Sequence, residues 1–408
     1  MIPGRAVAKL SIADLDLRDK RVLLRVDFNV PLNERQEVTD ATRIKAALPT
    51  IRHAVRAGAK VLLISHLGRP KGKRVPSLSL APAARRLADL LGQAVPLAPD
   101  CIGAEVEEMV SSLRPGDVLM LENCRFHAGD EANDDTMSRA LGRLCDVFVN
   151  DAFGAAHRAH ASTVGVTRFV PVAAAGFLMA RELEYLGRAI SNPERPFVAI
   201  LGGAKVSDKL GVLEHLTGKV DAFLIGGGMA YTFLRAEGRE VGASLLEADK
   251  LELARSIMEA ARGRGVGFLL PTDHVIARTV DPMAETRVAL SSDIPAGWKG
   301  LDIGPEARKA FAKVIGDART IVWNGPMGVF ELAPFREGTV AVARAVAAAR
   351  AVSIVGGGDS VAAVTQAGVA DKITHISTGG GASLEFLEGR ELPGVAALSD
   401  KPESIGDI

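Results

Sequence analysis

Short apolar runs, rich in valine, leucine and isoleucine, alternate with longer amphipathic segments along almost the whole chain. The runs lie at 21–26, 60–65, 117–121, 145–150, 197–202, 221–227, 267–271, 320–324, 352–357 and 373–378. Because these runs are continuously apolar, they predict strands that are buried on both faces of a parallel sheet. Strands that alternate with helices in this way predict an α/β fold with right-handed crossover connections.

Three of the intervening segments carry helix signals. Segment 42–58 has apolar residues at helical spacing and ends in glycine. Segment 207–218 also ends in glycine and begins with Ser207, which we predict to be its N-cap. The third predicted helix spans 248–265.

The length of 408 residues favours two or three domains, since a domain has about 150 residues. The runs fall into two groups, separated by a helix-like segment and a proline-containing turn. We therefore predict two doubly wound, Rossmann-like parallel-sheet domains, at 1–180 and 196–391, joined by an interdomain helix and hinge at 181–195. The pattern breaks again near the end, and we expect the tail 392–408 to pack back on the first domain.

The composition disfavours several kinds of partner. The formal net charge is zero and the chain has only two Trp and two Tyr, so neither nucleic acid nor an anionic membrane surface is expected as a partner. The uncharged stretch 169–180 contains Pro171 and is too short to span a bilayer. The first residues have no apolar segment, and the three cysteines show no CxxC spacing. These features predict a reduced, cytoplasmic protein.

Cationic side chains follow the runs of the first half, where residues 1–180 carry 24 Lys or Arg against 20 Asp or Glu. Ligands of open α/β sheets bind beyond the carboxyl ends of the strands. The candidates near those ends are Asp27, Asn29, Arg43, His66, Arg69, Arg125, His157, Arg158 and His160. Arginine suits phosphate and carboxylate, so these residues predict a small, anionic, hydroxylated ligand. Two alternatives stay open: solvated surface charges, and a metal at His157 and His160, for which no third ligand is indicated.

In the second half of the chain, glycine clusters and lysines follow the apolar runs. Glycine clusters lie at 202–203, 226–228, 356–358 and 379–381, and helix-like segments follow the last two. Helix N-termini of this kind bind phosphate. The candidate side chains are Lys205, Lys209, Asn324, Glu331, Asp359 and Ser360. Glu331 is expected to bind ribose hydroxyls and Asp359 to bind Mg²⁺, with a helix N-cap as the alternative for Asp359.

Several nucleotide-binding signatures are missing. The segment HLGRPKGKR has too few residues between its glycines for a Walker A loop and lacks the final Ser or Thr. No glycine cluster gives GxGxxG followed by an acid about twenty residues later, and the protein-kinase HRD and DFG motifs are absent. These absences disfavour a P-loop NTPase and a dehydrogenase.

The motifs taken together resemble phosphoglycerate kinase. They are RVDFNVPL, SHLGRPKGK, ENCRFH, NDAFGAAHRAHAS, LGGAKVSDK, WNGPMGVFE, VGGGDS and STGGGASLEFLEG, in that order between residues 25 and 389. Two small departures occur, GGGDS for the more usual GGGDT and FGAAHRAH for FGTAHRAH. Ser360 keeps the hydroxyl and the backbone N–H, so neither departure argues against the activity.

The resemblance implies a reaction and a set of roles. The reaction is reversible, Mg²⁺-dependent phosphoryl transfer between 1,3-bisphosphoglycerate and ADP, giving 3-phosphoglycerate and ATP, in glycolysis and gluconeogenesis. Phosphoglycerate would be held by Asp27, Asn29, Arg43, His66, Arg69, Arg125 and Arg158. The nucleotide would be held by Lys205, Lys209, Asn324, Glu331, Gly356, Gly357, Gly358, Asp359 and Ser360, with Mg²⁺ at Asp359.

The catalytic groups predicted on this basis are Arg43, Lys205 and the amides of Gly358 and of Gly380 or Gly381. The resemblance also implies a monomer whose two domains close for direct in-line transfer, with hinges in the helix near 180–191 and in loops near 195 and 378–394. Three alternatives remain at this point: a two-domain dehydrogenase, a non-catalytic two-lobed binding protein, and a kinase that uses another small acceptor.

Overall fold

A computed structural model describes residues 8–402 of the chain. Within these residues the chain forms two compact units, which we call unit 1 and unit 2. Unit 1 runs to Leu183 and takes in the chain again from Glu391, while unit 2 is Glu184–Arg390. The domain boundaries drawn from the sequence stay predictions, and residues 403–408 of the predicted tail lie outside the described residues.

Unit 1 is built on a parallel sheet in the order β3-β2-β1-β4-β5. Its strands are β1 Arg21–Arg25, β2 Lys60–Ile64, β3 Val118–Met120, β4 Val147–Asn150 and β5 Ala173–Ala175. Its helices are α1 Thr42–Arg56, α2 Ala81–Leu91, α3 Ala104–Ser111, α4 Ala128–Glu131, α5 Asp135–Arg143 and, after unit 2, α14 Pro393–Ala396. Helix α6, Phe177–Ser191, begins in unit 1 and continues into unit 2.

The returning C-terminal segment is tied to unit 1 by backbone hydrogen bonds. The Leu10 amide donates to the Ser399 carbonyl at 2.9 Å, and the Ser399 amide donates to the Ala173 carbonyl at 2.8 Å. The Gly394 amide donates to the Ala156 carbonyl at 2.8 Å. Residues 391–402 therefore belong to the same packed body as β5 and the loop after β4.

Unit 2 has a six-stranded parallel sheet in the order β14-β13-β12-β6-β7-β8 and a separate three-stranded antiparallel sheet in the order β10-β9-β11. Its strands are β6 Phe197–Leu201, β7 Ala222–Ile225, β8 Gly267–Leu269, β9 Asp273–Ala277, β10 Arg287–Leu290, β11 Lys299–Ile303, β12 Thr320–Asn324, β13 Val352–Gly356 and β14 His375–Ile376. Its helices are α7 Leu210–Leu216, α8 Met229–Ala236, α9 Leu251–Gly263, α10 Pro305–Asp317, α11 Glu337–Ala348, α12 Gly358–Gln366 and α13 Gly381–Leu387.

The predicted fold class, α/β with two doubly wound parallel sheets, is confirmed. In each parallel sheet the first of its strands along the chain lies next to the fourth of its strands, as the doubly wound order requires. This arrangement places one switch point between β1 and β4, and another between β6 and β12. Loops after these strands diverge in opposite directions, which leaves a crevice where a ligand binds.

The antiparallel sheet was not predicted. Strand β10 is mostly exposed, and β9 and β11 lie in a stretch where the helix-strand alternation is interrupted. A further strand, β5, lies within the small-residue stretch 169–180. The N-cap prediction for Ser207 was wrong. Helix α7 begins only at Leu210, and the Ser207 hydroxyl donates to Glu247 Oε1 at 2.6 Å.

Among the described residues, no helix is long and apolar enough to cross a bilayer. The three cysteines are free thiols, and all three are buried.

Candidate active site

A carboxylate from the loop after β1 and a guanidinium from the start of α1 meet at the carboxyl edge of the unit 1 sheet. Arg43, in the first turn of α1, donates from Nη1 to Asp27 Oδ2 at 2.9 Å. The Asp27 side chain is 12% exposed and that of Arg43 is 41% exposed. The guanidinium is therefore held at one end by Asp27 and can bind an anion with its remaining donors.

Asn29 connects this loop to the loop after β2. Its backbone amide donates to Asp27 Oδ1 at 3.2 Å, and its side-chain oxygen accepts from the Gly68 amide at 2.9 Å. The Gly68 carbonyl in turn accepts from Arg125 Nη1 at 3.0 Å. Three strand-end loops are thus joined by hydrogen bonds, and this fixes the relative positions of Asn29 and Arg125.

Arg125 is the second cation of this cluster. It lies in a short 3-10 helix, Cys124–Phe126, whose start is capped by the side chain of Asn123. Its Nε is 3.7 Å from Glu131 Oε1, too long for a hydrogen bond, and burial lowers the pKa of its guanidinium. Glu131 is close enough to form an ion pair but leaves Arg125 Nε without a hydrogen-bond partner, so this partly desolvated guanidinium can still bind phosphate or carboxylate.

His66 lies beneath these cations and is almost fully buried. Its Nδ1 is 3.0 Å from Nη2 of Arg25, the last residue of β1, whose side chain is completely buried. Arg25 also donates from Nε to the Ser162 hydroxyl at 3.3 Å and from Nη1 to the Val26 carbonyl. Burial and the charges of Arg25, Arg125 and Arg43 lower the pKa of His66 well below its usual value.

The other two arginines of the prediction lie at the surface. Arg69 and Arg158 are exposed, and Arg158 donates from Nε to His157 Nε2 at 3.1 Å. Their exposed guanidinium groups are accessible to a ligand, whereas Arg25 is enclosed by the protein. His160 is buried, and its Nδ1 lies 4.0 Å from Asp130 Oδ2. In the described chain, no group of three metal-ligating side chains includes His157 or His160.

In unit 2, Lys209 and Asn324 form the polar centre of the switch point. Lys209, just before α7, is 8% exposed, and its Nζ donates to Oδ1 of Asn324 at the end of β12. Burial lowers the pKa of Lys209, and this shift is opposed by the negative charges of Asp208, Asp359 and Glu388. Asn324 Nδ2 is buried without a partner in the described chain. Its position next to Gly357 makes it a donor available to a ligand.

The glycines after β6 and β12 are required because the two loops that contain them pass very close to each other. A Cβ on Gly325 would lie 2.2 Å from the Gly202 carbonyl oxygen, and Gly325 has a φ of +98°. A side chain there would collide with backbone and also strain the chain. This close approach explains part of the glycine pattern without a ligand.

Ser360 joins the same loops. Its side chain is fully buried, and its hydroxyl oxygen accepts from the Gly325 amide at 2.6 Å. The hydroxyl therefore holds the loop after β12 against the start of α12. The hydroxyl keeps its own hydrogen, so the O–H and the backbone N–H of Ser360 are both candidate donors to a ligand.

Helix α12 provides free amides at the end of β13. Gly357 is its N-cap with a φ of +89°, and Gly358 and Asp359 form its exposed first turn. The first N–H groups of a helix have no intrahelical acceptor and carry the positive end of the helix dipole. Lys205 is exposed in the loop after β6, and Gly380 is the N-cap of α13 with a φ of +47°. Gly356 is buried at the end of β13.

A cavity of about 470 Å³ opens beside these loops. Its polar lining includes Lys299, Glu331 and Asp359, and glycines at 203 and 227–228 also line it. Its apolar walls are formed by Leu245, Val280, Leu301 and Val329. Leu245 and Val280 are 51% and 50% exposed. The cavity suits a flat, partly apolar ring with a polar, phosphorylated end.

Some of these groups were not found from the sequence. Arg25 looked like part of an apolar strand, and its only signal is a charge at the last position of that strand. Leu245 and Val280 lie in loops outside the helix-strand alternation, where single apolar residues carry no pattern. Their exposure, which only the structure gives, is the informative observation.

Two doubly wound units, one with a cationic cluster and the other with a glycine-lined cavity, define an α/β enzyme of the two-domain kinase class. The family model for phosphoglycerate kinase matches residues 12–390. The chain therefore belongs to the phosphoglycerate kinase family, and it is a phosphotransferase with a carboxyl acceptor that uses a nucleotide and a phosphoglycerate as substrates.

The curated relatives and the solved structures that this chain resembles are also phosphoglycerate kinases. The chain is 60% identical over 403 residues to phosphoglycerate kinase of Koribacter versatilis, covering 97% of this chain and 100% of the relative. It is 57% identical over 395 residues to that of Chloroherpeton thalassium, covering 96% and 99%. The solved phosphoglycerate kinase of Coxiella burnetii superposes with a TM-score of 0.88 at 42% identity, covering 95% of this chain and 98% of that one. The solved phosphoglycerate kinase of Pyrococcus horikoshii superposes with a TM-score of 0.82 at 34% identity, covering 95% of this chain and 98% of that one.

Proposed function

We propose that this chain catalyses reversible, Mg²⁺-dependent transfer of a phosphoryl group between 1,3-bisphosphoglycerate and ADP, giving 3-phosphoglycerate and ATP in glycolysis and gluconeogenesis. The supporting observation is the division of chemistry between the two switch points. Unit 1 offers guanidinium groups and a buried histidine, and unit 2 offers free amides, a lysine and a cavity with apolar walls. The first set suits a small anion with hydroxyls, and the second suits a nucleotide.

The chemistry requires no general base in the ATP-consuming direction. The acceptor is a carboxylate, which is already ionised at neutral pH. The protein then has to position both substrates and to stabilise the charge on the transferring group during direct in-line transfer. Arg43 and Lys205 would supply positive charge, and the amides of Gly358 and of Gly380 or Gly381 would donate to the equatorial oxygens.

The remaining residues would bind the substrates. Asp27 and Asn29 would bind hydroxyl groups of the phosphoglycerate, and Arg69, Arg125, Arg158 and His66 would bind its anionic groups. Lys209, Asn324 and the 356–360 loop would bind nucleotide phosphates, and Glu331 would bind the ribose. For Ser360 this role is assigned to the backbone N–H and to the hydroxyl hydrogen, since the hydroxyl oxygen only accepts from the Gly325 amide.

Residues at the unit 2 cavity fit a magnesium ion. Asp359 places an exposed carboxylate beside the first amides of α12 and the cavity. Mg²⁺ prefers carboxylate and phosphate oxygens, so Asp359 would hold the ion together with the nucleotide phosphates. Bound there, Mg²⁺ neutralises phosphate charge. An acid at a phosphate-binding helix N-terminus would otherwise repel the ligand.

Three further parts of the proposal concern the whole molecule. Since the two substrates bind to different units, transfer requires domain closure, with hinges in α6 near 180–191 and in the loops near 195 and 378–394. We also propose that the protein acts as a monomer in the cytoplasm. Small-angle scattering with and without both substrates tests the closure, and an unchanged radius of gyration would contradict it.

The decisive experiment mixes the full chain with ATP and Mg²⁺ and follows ADP release with and without 3-phosphoglycerate. We expect release that depends on 3-phosphoglycerate and falls about 10²–10³-fold in Arg43→Ala and in Lys205→Ala, as for the loss of other transition-state charge stabilisers. Arg18→Ala and Lys20→Ala, which change exposed cations outside both sites, serve as matched controls. Release that does not depend on 3-phosphoglycerate, or that another acceptor supports better, would contradict the proposal.

A further inference from the structure

A group of three metal-ligating side chains lies in unit 1 and has no part in the phosphoryl transfer proposed above. Asp100, Cys101 and His127 each point one ligand atom at the same region, and these atoms all lie within 4.8 Å of one another. It is the single group of three such side chains among residues 8–402. From this geometry we propose that the three residues form a binding site for a transition-metal dication of the Zn²⁺ class.

The donor set indicates the kind of metal. It combines a carboxylate oxygen, a thiol sulfur and an imidazole nitrogen, which is the mixture that Zn²⁺ and Co²⁺ accept and that Mg²⁺ and Ca²⁺ do not. Three protein ligands leave a fourth tetrahedral position for water. The thiol gives its proton to solvent when the metal binds, because the thiolate is the ligand.

The distances limit the adjustment that a metal would require: the three ligand atoms lie within 4.8 Å of one another, so no pair would have to close by more than about 1.5 Å. Ligand atoms of a tetrahedral zinc ion stand roughly 3.3–3.6 Å apart, given bond lengths of about 2.0–2.3 Å. His127 Nε2 and Asp100 Oδ1 are 2.6 Å apart and hydrogen-bonded, so they would separate by about an ångström as the ion enters. These two side chains are 34% and 37% exposed, and can make that movement.

The backbone holds the ligands in place from two different segments. The Asp100 carbonyl accepts from the Glu122 amide at 3.3 Å, and the Ala98 amide donates to the Met120 carbonyl at 2.8 Å, which fixes this loop beside β3. The His127 amide donates to the Cys124 carbonyl at 3.2 Å, and the Asp130 amide donates to the His127 carbonyl at 3.2 Å. Ligands on fixed segments form a more selective site than ligands on free side chains.

Burial gives the site an inner and an outer side. Cys101 is fully buried, whereas Asp100 and His127 reach the surface. An ion can therefore enter from solvent past the carboxylate and the imidazole and meet the sulfur at the inner side. The arrangement differs from an exposed acidic cluster, in which every ligand is already hydrated.

Co²⁺ is the probe, because a thiolate bound to Co²⁺ gives a charge-transfer absorption that oxygen ligands do not give. The full, reduced chain is titrated with Co²⁺ in excess Mg²⁺, and Zn²⁺ is then added. We expect the absorption to appear, to be removed by Zn²⁺, and to be lost in Cys101→Ser. Cys145→Ser, which changes another buried thiol of the same unit, should leave it unchanged.

Two surface variants keep the test valid if Cys101→Ser fails to fold. His127→Gln and Asp100→Asn should weaken Zn²⁺ binding in a chelator competition by more than about 10-fold, since even partners of direct ligands contribute that much. No absorption in the unchanged chain, or an absorption that survives in Cys101→Ser, overturns the proposal. So does Zn²⁺ affinity that neither surface variant lowers. Because every readout is metal binding, failure here leaves the proposed kinase activity untouched.

Discussion

Arg25 Nη2 lies 3.0 Å from His66 Nδ1, and both side chains are buried beneath the cationic cluster of unit 1. A guanidinium has donors only, so the imidazole accepts at Nδ1 and carries its hydrogen on Nε2. The pKa of His66 is lowered well below its usual value by burial and by the neighbouring arginines. His66 is therefore a neutral donor at neutral pH.

The first prediction follows from this protonation state. Because the lowered pKa and the hydrogen bond from Arg25 keep His66 neutral around neutral pH, its loss should not change the shape of the pH profile of kcat/KM for 3-phosphoglycerate. We expect His66→Gln to raise KM roughly 10- to 100-fold, the worth of a hydrogen bond to a charged group, with a profile parallel to that of the unchanged enzyme. A limb near pH 6.5 that disappears in the variant would show that His66 titrates in this range.

The second prediction concerns the pair Lys209 and Asn324. Removing the acceptor leaves Lys209 buried without its partner, so Asn324→Ala should lower the free energy of unfolding by about 1–3 kcal/mol. The loss should largely disappear in a Lys209→Met background, where no charge is left unpaired. Urea denaturation of the four proteins measures this coupling. Equal losses in both backgrounds would mean that the pair contributes nothing.

The third prediction tests the apolar wall of the unit 2 cavity. Leu245→Asp puts a charge where a flat ring would bind and should raise the Kd for ADP by more than about 10-fold, given the cost of an unpaired charge in a ligand interface. Binding of 3-phosphoglycerate should not change. Met283→Asp is the matched control, since Met283 is 90% exposed and does not line the cavity. Calorimetric titration with each ligand separates the two effects.

The fourth prediction concerns Asp359. Loss of its charge in Asp359→Asn should raise the Mg²⁺ concentration for half-maximal turnover by at least about 10-fold, while saturating Mg²⁺ restores part of the rate. Asp371→Asn, in the 3-10 helix Ala370–Lys372, is the control. The alternative role of helix N-cap for Asp359 was wrong, because Gly357 is the N-cap of α12 and no side chain caps this helix. An unchanged Mg²⁺ dependence in the variant would mean that Asp359 does not hold the ion.

The two parallel sheets could be predicted because their strands are buried on both faces, and burial leaves a continuous apolar run in the sequence. Strand β10 could not, since Val288 and Leu290 are 58% and 61% exposed and β10 pairs antiparallel to a strand outside that alternation. The candidate residues after strand ends followed from the α/β rule. Arg25 did not, because a buried charge depends on partners such as Ser162 and His66 that are distant in sequence.

The group formed by Asp100, Cys101 and His127 could not be predicted from the sequence either. Its residues have no metal-site spacing, since residues 100–101 and 127 lie on either side of β3. The backbone hydrogen bonds of these two segments and the hydrogen bond between His127 Nε2 and Asp100 Oδ1 bring the three side chains together. Spacing identifies a metal site when the ligands share one turn or helix, and it is uninformative when the ligands come from separate loops.

The last prediction concerns Asp151, whose Oδ1 accepts from the amides of Leu178 and Met179 at 2.9 and 3.2 Å and so caps α6. Burial raises the pKa of this carboxyl to about 6. Its pKa in the unfolded chain is about 3.9, so the folded state binds the proton more tightly. The contribution of Asp151 to the stability of the fold should therefore fall as the pH rises from about 4 to 6 and stay level above that.

Asp151→Asn keeps the accepting oxygen and removes the buried charge. Above pH 6 the variant should be more stable than the unchanged chain, by up to about 3 kcal/mol for a shift of roughly two pKa units, and the gain should vanish near pH 4. Urea denaturation at several pH values measures the difference, with exposed Asp89→Asn as the control. A variant that is less stable at every pH would mean that the ionised carboxylate, despite its burial, is the better cap for α6.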